Sequence, residues 1–351
     1  MPEDVLASFE VKRLRVLDEN GEVDAALMPE LSEAEIRRLY QAMVLARTYD
    51  ERAVALQREG RLGTYPPIMG QEAAQVASAL ALSPADWVFP SFRETGVHLT
   101  LGYPAAKLFQ YWAGDERGQQ GPPELNIFPC CVAVASQIPH AVGAALAARY
   151  RRDPVVVVAY FGDGATSKGD FHEGFNMAGV FRLPVVFICQ NNQWAISVPL
   201  KSQTAAASLA QKAIAYGFEG IQVDGNDPFA VYRATRQALD KARSGAGPTF
   251  IECLTYRMTD HTTADDAGRY RSAEEVALWR GRDPILRLER FMAGRGLWNE
   301  QSGRETKEKA ALLVDAAVRE MEAVPPPAAA ELFDSTVATL SPRQAGQKKG
   351  G

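Results

Sequence analysis

Asp163 lies between Gly162 and Gly164, and one strand–helix–strand later the chain carries the pair Asn191–Asn192. Both fall in the stretch FGDGATSKGDFHEGFNMAGVFRLPVVFICQNNQW, from Phe161 to Trp194. A carboxylate, an amide oxygen and backbone carbonyls suit a hard cation such as Mg²⁺, which prefers to share its shell with phosphate oxygens. The two glycines permit a tight turn and a close approach of the backbone. The helix that follows offers free N–H groups to an anion. The chemistry indicated is a metal–diphosphate site. A lone Gly-Asp-Gly or Asn-Asn is ordinarily just a turn. The reading rests on finding both, each directly after a buried strand and one crossover apart. The chain has no G-x-x-x-x-G-K-[ST] and no G-x-G-x-x-G after a strand, which disfavours P-loop and dinucleotide sites.

The surrounding elements must set these residues side by side. PVVVVAYF (154–161) and LPVVFICQ (183–190) are continuous apolar, β-branched runs, as expected of strands buried on both faces of a parallel sheet. GIQVDGND (220–227) and PTFIECLTYR (248–257) supply further strands, with helix-length segments between them. Strands alternating with helices predict an α/β fold, a doubly wound parallel sheet with helices on both faces. In such a sheet the carboxyl ends of the strands share one edge, where ligands bind. A right-handed crossover therefore brings Asp163 and Asn192 out on the same edge, from neighbouring or near-neighbouring strands. Upstream, Ser32 and Glu35 form a capping-box pattern that opens a helix running to Gly60. Helices of small residues near 73–81 and 139–148 suit close packing. Residues 1–30 read as an extended arm, 31–325 as the α/β domain with its C-terminal helices, and 326–351 as a partly disordered tail.

Composition narrows the function. With 351 residues, 46% hydrophobic and 23% charged, the chain can build a large core, and its net charge of −5 leaves no basic footprint for a nucleic acid. No apolar run is long enough to span a membrane, and MPEDVLASFEVKR lacks the apolar core of a signal peptide, so the expected location is cytoplasmic. The four cysteines, Cys130, Cys131, Cys189 and Cys253, form no C-x-x-C and read as reduced, buried thiols. Of the four histidines, His98, His140 and His172 fall in helical segments and read as structural. His172–Glu173 is not part of H-E-x-x-H. His261 follows a strand end among polar neighbours and is the candidate for function. Asp265 and Asp266 read as carboxylates that order its loop and pair with Arg269 or Arg271.

The spacing of 26 residues between Gly164 and Asn191 resembles the thiamin diphosphate fingerprint. The segments GDGATSKGDFHEGFNMAG, QNNQWAIS, GIQVDGNDPFAVY, HTTADDAGRYR, RLGTYPPIMGQEAAQVASAL and RGLWNE resemble, in order, the alpha subunit of the decarboxylase component of 2-oxo acid dehydrogenase complexes. The resemblance covers about residues 30–300. It implies that Asp163 and Asn192 ligate Mg²⁺ by side chain and Trp194 by its carbonyl. Gly162, Gly164 and Ala165 would line the diphosphate, and Arg93 would hold it. Phe92 stands where the family usually has Tyr, so a hydroxyl is missing there. Val132, Val134 and Ser136 match positions beside the aminopyrimidine, and a monovalent cation binds near Ser136 and Gln137 in some relatives. His261 matches the loop histidine near the reacting centre.

The resemblance further implies decarboxylation of a small 2-oxo acid with acyl transfer to a lipoyl group on an acyltransferase core. The cofactor's activating glutamate would lie on a separate beta subunit in an α₂β₂ assembly. Pyruvate is the first substrate reading, favoured by GDFHEGFNMAG. A branched-chain acid, towards which HTTADD and NNQWAIS lean, and acetoin are the alternatives. Two other classes compete. A scaffold subunit that has lost its cofactor is opposed by the intact Asp163, Asn192, Arg93 and His261. A Mg²⁺-dependent phosphate-ester hydrolase lacks the further carboxylates that two-metal hydrolysis requires.

Overall fold

The computed structural model describes residues 4–328, 331, 333 and 337–350. Its strands are β1 (Lys12–Leu14), β2 (Trp87–Phe89), β3 (Val157–Gly162), β4 (Val185–Asn191), the hairpin pair β5 (Trp194–Ala195) and β6 (Val198–Pro199), β7 (Glu219–Asp224) and β8 (Thr249–Leu254). Its helices are α1 (Glu33–Arg58), α2 (Glu72–Leu80), α3 (Thr95–Thr100), α4 (Ala105–Trp112), α5 (Gln137–Arg151), α6 (Gly169–Val180), α7 (Leu200–Gln203), α8 (Pro228–Arg243), α9 (Ala273–Arg280), α10 (Pro284–Gly294), α11 (Glu300–Glu322) and α12 (Pro342–Gly350). Six strands form one sheet in the order β1-β7-β8-β4-β3-β2, and every neighbouring pair is parallel. The sequence expectation of a doubly wound parallel sheet holds.

Side chains alternate across a strand, and here the alternation sorts them into two cores. Val158 and Tyr160 of β3, Val186 and Ile188 of β4, and Ile251 and Cys253 of β8 pack with α1, α2, α8 and α10 on one face. Val157, Ala159 and Phe161, with Val185, Phe187, Cys189 and Phe250, pack with α5 and α6 on the other. Burial on both sides is why these strands read as unbroken apolar runs. It also fixes register, because a slip of one residue would exchange the two cores.

The parallel arrangement places four consecutive strand ends on one edge. The register pairs Gly162 with Gln190 and Asn191 with Leu254. The segments leaving β2, β3, β4 and β8 therefore emerge next to one another. They carry Arg93, Asp163, Asn192, and Arg257 with His261.

The capping box forms as the sequence suggests: Glu35 N–H donates to Ser32 Oγ at 3.3 Å, and Ser32 N–H donates to Glu35 Oε2 at 2.8 Å. The two small-residue helices differ in use. α2 is enclosed by α1, α3 and α8 of its own chain, so its alanines serve internal packing. α5 buries Ala141, Val142 and Ala145 but leaves His140, Gly143 and Ala147 exposed. Among the described residues no helix is long and apolar enough to cross a membrane.

The two ends of the chain are more engaged than their composition suggests. β1 adds an edge strand to β7, so part of the N-terminal arm belongs to the sheet. Asp227 secures it. Its Oδ1 caps α8 by accepting from Phe229 N–H at 2.9 Å and Ala230 N–H at 3.0 Å, and its Oδ2 accepts from Val16 N–H at 2.6 Å and Leu17 N–H at 2.7 Å. Asp227→Ala removes a helix cap and strands two further buried donors. It is expected to lower the unfolding free energy by at least about 2 kcal/mol, read from denaturant midpoints. An unchanged midpoint would refute that role. In the segment expected to be a disordered tail, residues 342–350 instead form α12, where Gln344 N–H donates to Ser341 Oγ at 3.3 Å and Ser341 N–H to Gln344 Oε1 at 3.0 Å. This reciprocal cap supplies the local order that composition did not reveal. Residues 1–3, 329, 330, 332, 334–336 and 351 lie outside the described residues.

Candidate functional site

Asp163 is the first residue after β3 and opens a one-turn 3₁₀ segment, Asp163–Ser167. Its carboxylate is 1% exposed, and Oδ2 accepts from Gln203 Nε2 at 2.8 Å. Burial raises its pKa, against the stabilising Gln203 bond. Asn192 follows β4. Its Oδ1 accepts from Trp194 N–H at 3.2 Å, and its Nδ2 donates to Gln71 Oε1 at 3.1 Å. The Trp194 N–H thus fixes which end of the amide is oxygen. The Trp194 carbonyl accepts from Arg257 Nη1 at 3.3 Å.

The two glycines have different uses. Gly164 is required by packing, since a Cβ there would lie 2.8 Å from Ala195 Cβ of the β5–β6 hairpin. Gly162 has ordinary extended backbone (φ −89°, ψ 171°), and a Cβ would meet nothing within 4 Å. The expected turn thus needs no left-handed backbone at Gly162. That glycine faces the open space of the site.

Arg93 comes after β2 and is buried. Nη1 donates to Pro67 O at 2.6 Å, and Nη2 donates to His261 O at 2.9 Å and lies 3.1 Å from His261 Nδ1. Burial lowers its pKa to about 10, with Arg257 adding to the effect. Arg257 reaches His261 Nδ1 from another side at 3.1 Å, and its Nη2 donates to Ile196 O at 2.8 Å and to the Tyr270 hydroxyl at 3.0 Å. Two guanidinium donors on Nδ1 make that nitrogen the acceptor and leave the proton of neutral His261 on Nε2.

His261 is held at its backbone by Asp265, whose Oδ2 accepts the His261 N–H at 2.9 Å and also takes the Tyr270 hydroxyl. The pairing expected between the acidic residues and Arg269 or Arg271 is not made. Asp266 instead caps the short turn at Gly268, and Arg271 donates to the carbonyls of Arg257 and Met258. Asp265 is taken by Tyr270, and Arg271 finds backbone oxygens.

Burial, then Arg93 and Arg257, push the His261 pKa down to about 3, with Asp265 opposing. The folded state therefore binds this proton less tightly than the unfolded chain, whose ordinary value is 6.5. The stability this contributes is complete above pH 6.5 and is lost as pH falls towards about 3. His261→Asn is expected to flatten the slope of stability against pH in that window, measured by denaturant unfolding at several pH values. In the wild type, the His261 ring resonances should stay flat between pH 5 and 8, and a titration near 6.5 would contradict this environment.

These groups surround one cavity of about 650 Å³. Its lining includes Phe92, Arg93, Val132, Val134, Gly162, Asp163, Gly164, Ala165, Asn192, Trp194 and His261, so all but one of the predicted site residues converge. Ser136 does not line it. Its hydroxyl donates to Ala133 O at 2.7 Å and lies 2.9 Å from Cys131 Sγ. Its neighbour Gln137 does line the cavity, donates from Nε2 to Tyr160 O at 2.7 Å, and leaves Oε1 buried without a partner. The Phe92 ring meets His261 edge-on, with centroids 6.1 Å apart. Val132 and Val134 are exposed at the rim, at 58% and 43%. Cys189 and Cys253 are buried as expected, whereas Cys130 and Cys131 are only partly so. His98 is buried in α3 against the Glu94 carbonyl, 2.9 Å from Nδ1.

Sequence reasoning missed Arg257, Gln71, Gln203 and the polar layer beneath Arg93. In that layer Gln75 Nε2 donates to Arg93 O at 2.7 Å and to Gln190 Oε1 at 2.7 Å, and Gln190 Nε2 donates to Glu94 Oε1 at 2.6 Å. Only Arg257 carried any signal, as a cation three residues beyond the end of β8.

The donor set fits a cation–diphosphate pair. The Asp163 carboxylate, the Asn192 Oδ1 and the Trp194 carbonyl are hard oxygens on one side. On the other, Arg93 and Arg257 are buried guanidiniums bonded to carbonyls, an imidazole and a phenol. Among the described residues no cluster of three or more His, Cys, Asp or Glu could hold a metal without such help.

Comparison with known proteins agrees. Residues 40–330 match the model of the family described as "Dehydrogenase E1 component". The chain is 42% identical over 321 residues to the pyruvate dehydrogenase E1 component subunit alpha of Staphylococcus aureus (strain Mu50), covering 91% of this chain and 86% of that one. It is 45% identical over 311 residues to the 3-methyl-2-oxobutanoate dehydrogenase subunit alpha of Mycobacterium tuberculosis (strain H37Rv), covering 88% and 85%. The chain belongs to the dehydrogenase E1 component family.

Proposed function

We propose that this chain is the α subunit of a thiamin-diphosphate-dependent pyruvate dehydrogenase that decarboxylates pyruvate and passes the acyl group to the lipoyl group of an acyltransferase core. One observation carries the reading. A buried carboxylate, Asp163, and a buried guanidinium, Arg93, face one cavity, and a second buried guanidinium, Arg257, is bonded to the cavity-lining Trp194, Ile196 and His261; none of the three has an ion-pair partner of its own among the described residues. Buried charges are ordinarily paired or metal-bound. A Mg²⁺-diphosphate satisfies both signs at once.

In this reading Asp163, Asn192 and the Trp194 carbonyl hold Mg²⁺. Backbone N–H groups at Gly162, Gly164 and Ala165, with the Arg93 guanidinium, hold the diphosphate. Phe92, Val132 and Val134 flank the organic rings, and a monovalent cation beside Ser136 and Gln137 would take up the unpartnered Gln137 Oε1. Thiamin diphosphate, when bound, supplies the electron sink that decarboxylation of a 2-oxo acid requires. His261 stays neutral at physiological pH and acts as a donor from Nε2, because Arg93 and Arg257 occupy Nδ1. Val132 and Val134 exclude water once a second subunit covers them. That subunit is a separate β chain, in an α₂β₂ assembly, and the exposed apolar rim of the cavity supports it.

A branched-chain 2-oxo acid is the second substrate reading, favoured by the 45% identity to the M. tuberculosis protein. The test is calorimetric titration of thiamin diphosphate with Mg²⁺ into this chain alone and into its complex with the β subunit. Turnover of the complex with pyruvate and with 3-methyl-2-oxobutanoate follows. Mg²⁺-dependent binding to the complex and preference for pyruvate are expected. Preference for the branched acid selects the second reading. Folded protein that binds nothing leaves only a scaffold role.

A further inference from the structure

Asp50 lies in the middle of α1, away from the cavity lining, yet its carboxylate is only 1% exposed. It makes no ion pair among the described residues. It accepts instead from one short strap of chain: Ile68 N–H at 2.8 Å and the Tyr65 hydroxyl at 2.9 Å on Oδ1, and Met69 N–H at 3.1 Å on Oδ2. A carboxylate turned inward to bind three donors of one loop specifies that loop's path, since without it the buried Ile68 N–H would be unpaired and the Tyr65 hydroxyl would keep only Thr95 Oγ1 at 3.5 Å.

The strap then touches Arg93 and the segment that carries His261. Pro67 O receives Arg93 Nη1 at 2.6 Å. Tyr65 and Thr263 clip together reciprocally, with Tyr65 N–H on Thr263 Oγ1 at 3.0 Å and Thr263 N–H on Tyr65 O at 2.9 Å. Met69 O accepts from Met258 N–H at 3.1 Å. Residues 65–69 thus bridge α1 to Arg93 and to both sides of the His261 loop.

We propose that Asp50 is a positioning residue that sets the Arg93 guanidinium and the His261 loop for the diphosphate, acting through the Tyr65–Met69 strap. Burial raises the carboxyl pKa to about 7, which marks the cost of placing it there. The proposal rests on the cofactor reading above, and its test separates the two.

In the α–β complex, Asp50→Asn presents an amide N–H₂ or a weaker acceptor to the same donors. It is expected to weaken thiamin diphosphate binding about 10- to 100-fold at saturating Mg²⁺, as loss of an outer positioning group does elsewhere. In the cofactor-free complex it is expected to speed hydrogen exchange at the amides of Ile68, Met69 and Thr263 selectively. A purely structural role would lower the melting temperature and leave the affinity and the Thr263 exchange of the folded protein unchanged, which overturns the proposal. Should Asp50→Asn not fold, Tyr65→Phe removes one donor from the carboxylate and keeps the fold. It is expected to speed exchange at Ile68 and Thr263, and wild-type exchange there also overturns the proposal. A wild-type complex that binds no thiamin diphosphate would overturn the cofactor reading instead, while the exchange pattern still decides the role of Asp50.

Discussion

Asp163→Asn is expected to abolish Mg²⁺-dependent binding of thiamin diphosphate and, at the same time, to make the cofactor-free chain more stable. The side chain is buried, and the one side chain that donates to it among the described residues is Gln203. An asparagine keeps an acceptor for that amide and removes the charge. Taking one partner out of a buried charge pair costs about 3–5 kcal/mol, or roughly 10²- to 5 × 10³-fold in affinity. The gain in the cofactor-free chain is smaller, about 2 °C of melting temperature for each kcal/mol. Its pH dependence is specific. Burial raises the Asp163 pKa above its ordinary 3.8, so the folded state holds the proton more tightly than the unfolded chain. Stability is therefore lost as pH rises through 3.8 towards the raised value, and the substitution removes that loss. Differential scanning fluorimetry with and without cofactor reads both signs. A variant less stable than wild type in the absence of cofactor would show that Asp163 serves the fold.

Arg93→Lys is expected to weaken cofactor binding by about 10²-fold although the net charge is unchanged. The planar fork of Arg93 spans Pro67 O and His261 O together, and a lysine is a single point donor on a flexible stem. Arg93→Met should do more, and differently. It removes one of the two cations against His261 Nδ1, so the His261 pKa should rise from about 3 towards 6.5. It also relieves the burial of a guanidinium whose pKa is already pushed down to about 10, so the cofactor-free protein should gain stability at neutral pH. Calorimetry for the affinity and histidine resonances for the titration test the two effects separately. If Arg93→Lys bound the cofactor as wild type does, the diphosphate would have to lie elsewhere in the cavity.

Both predictions have the same form because the site stores unpaired charge of both signs. Such sites commonly sacrifice stability for readiness to bind. The sequence marks only half of this. Asp163 and Asn192 are legible because each sits immediately after an apolar run, and both runs are strands whose ends must share an edge. Arg93 was found through resemblance to a family, whereas His261 was marked both by that resemblance and by its place after a strand end among polar neighbours. Arg257 was not found, because nothing near Arg257 in the chain says that its partner is His261 and not a carboxylate.

The parallel sheet, the start of α1 at Ser32 and the edge on which Asp163 and Asn192 emerge are all legible in the one-dimensional chain. Each of these follows from local periodicity or from a cap within four residues, and those signals survive in one dimension. Tertiary structure alone decided that β4 would lie between β3 and β8, which puts Asn192 between Asp163 and Arg257. It decided that Asp265 would take Tyr270 and not an arginine, that Ser136 would turn from the cavity, and that Asp227 would draw the N-terminal arm into the sheet. It also decided that Asp50, on a helix behind the site, would hold the strap on which Arg93 rests. Each of these is a choice among several groups able to make the same hydrogen bond. Burial resolves such choices, because once water is excluded a polar group must bond to whichever partner the packed chain sets within reach.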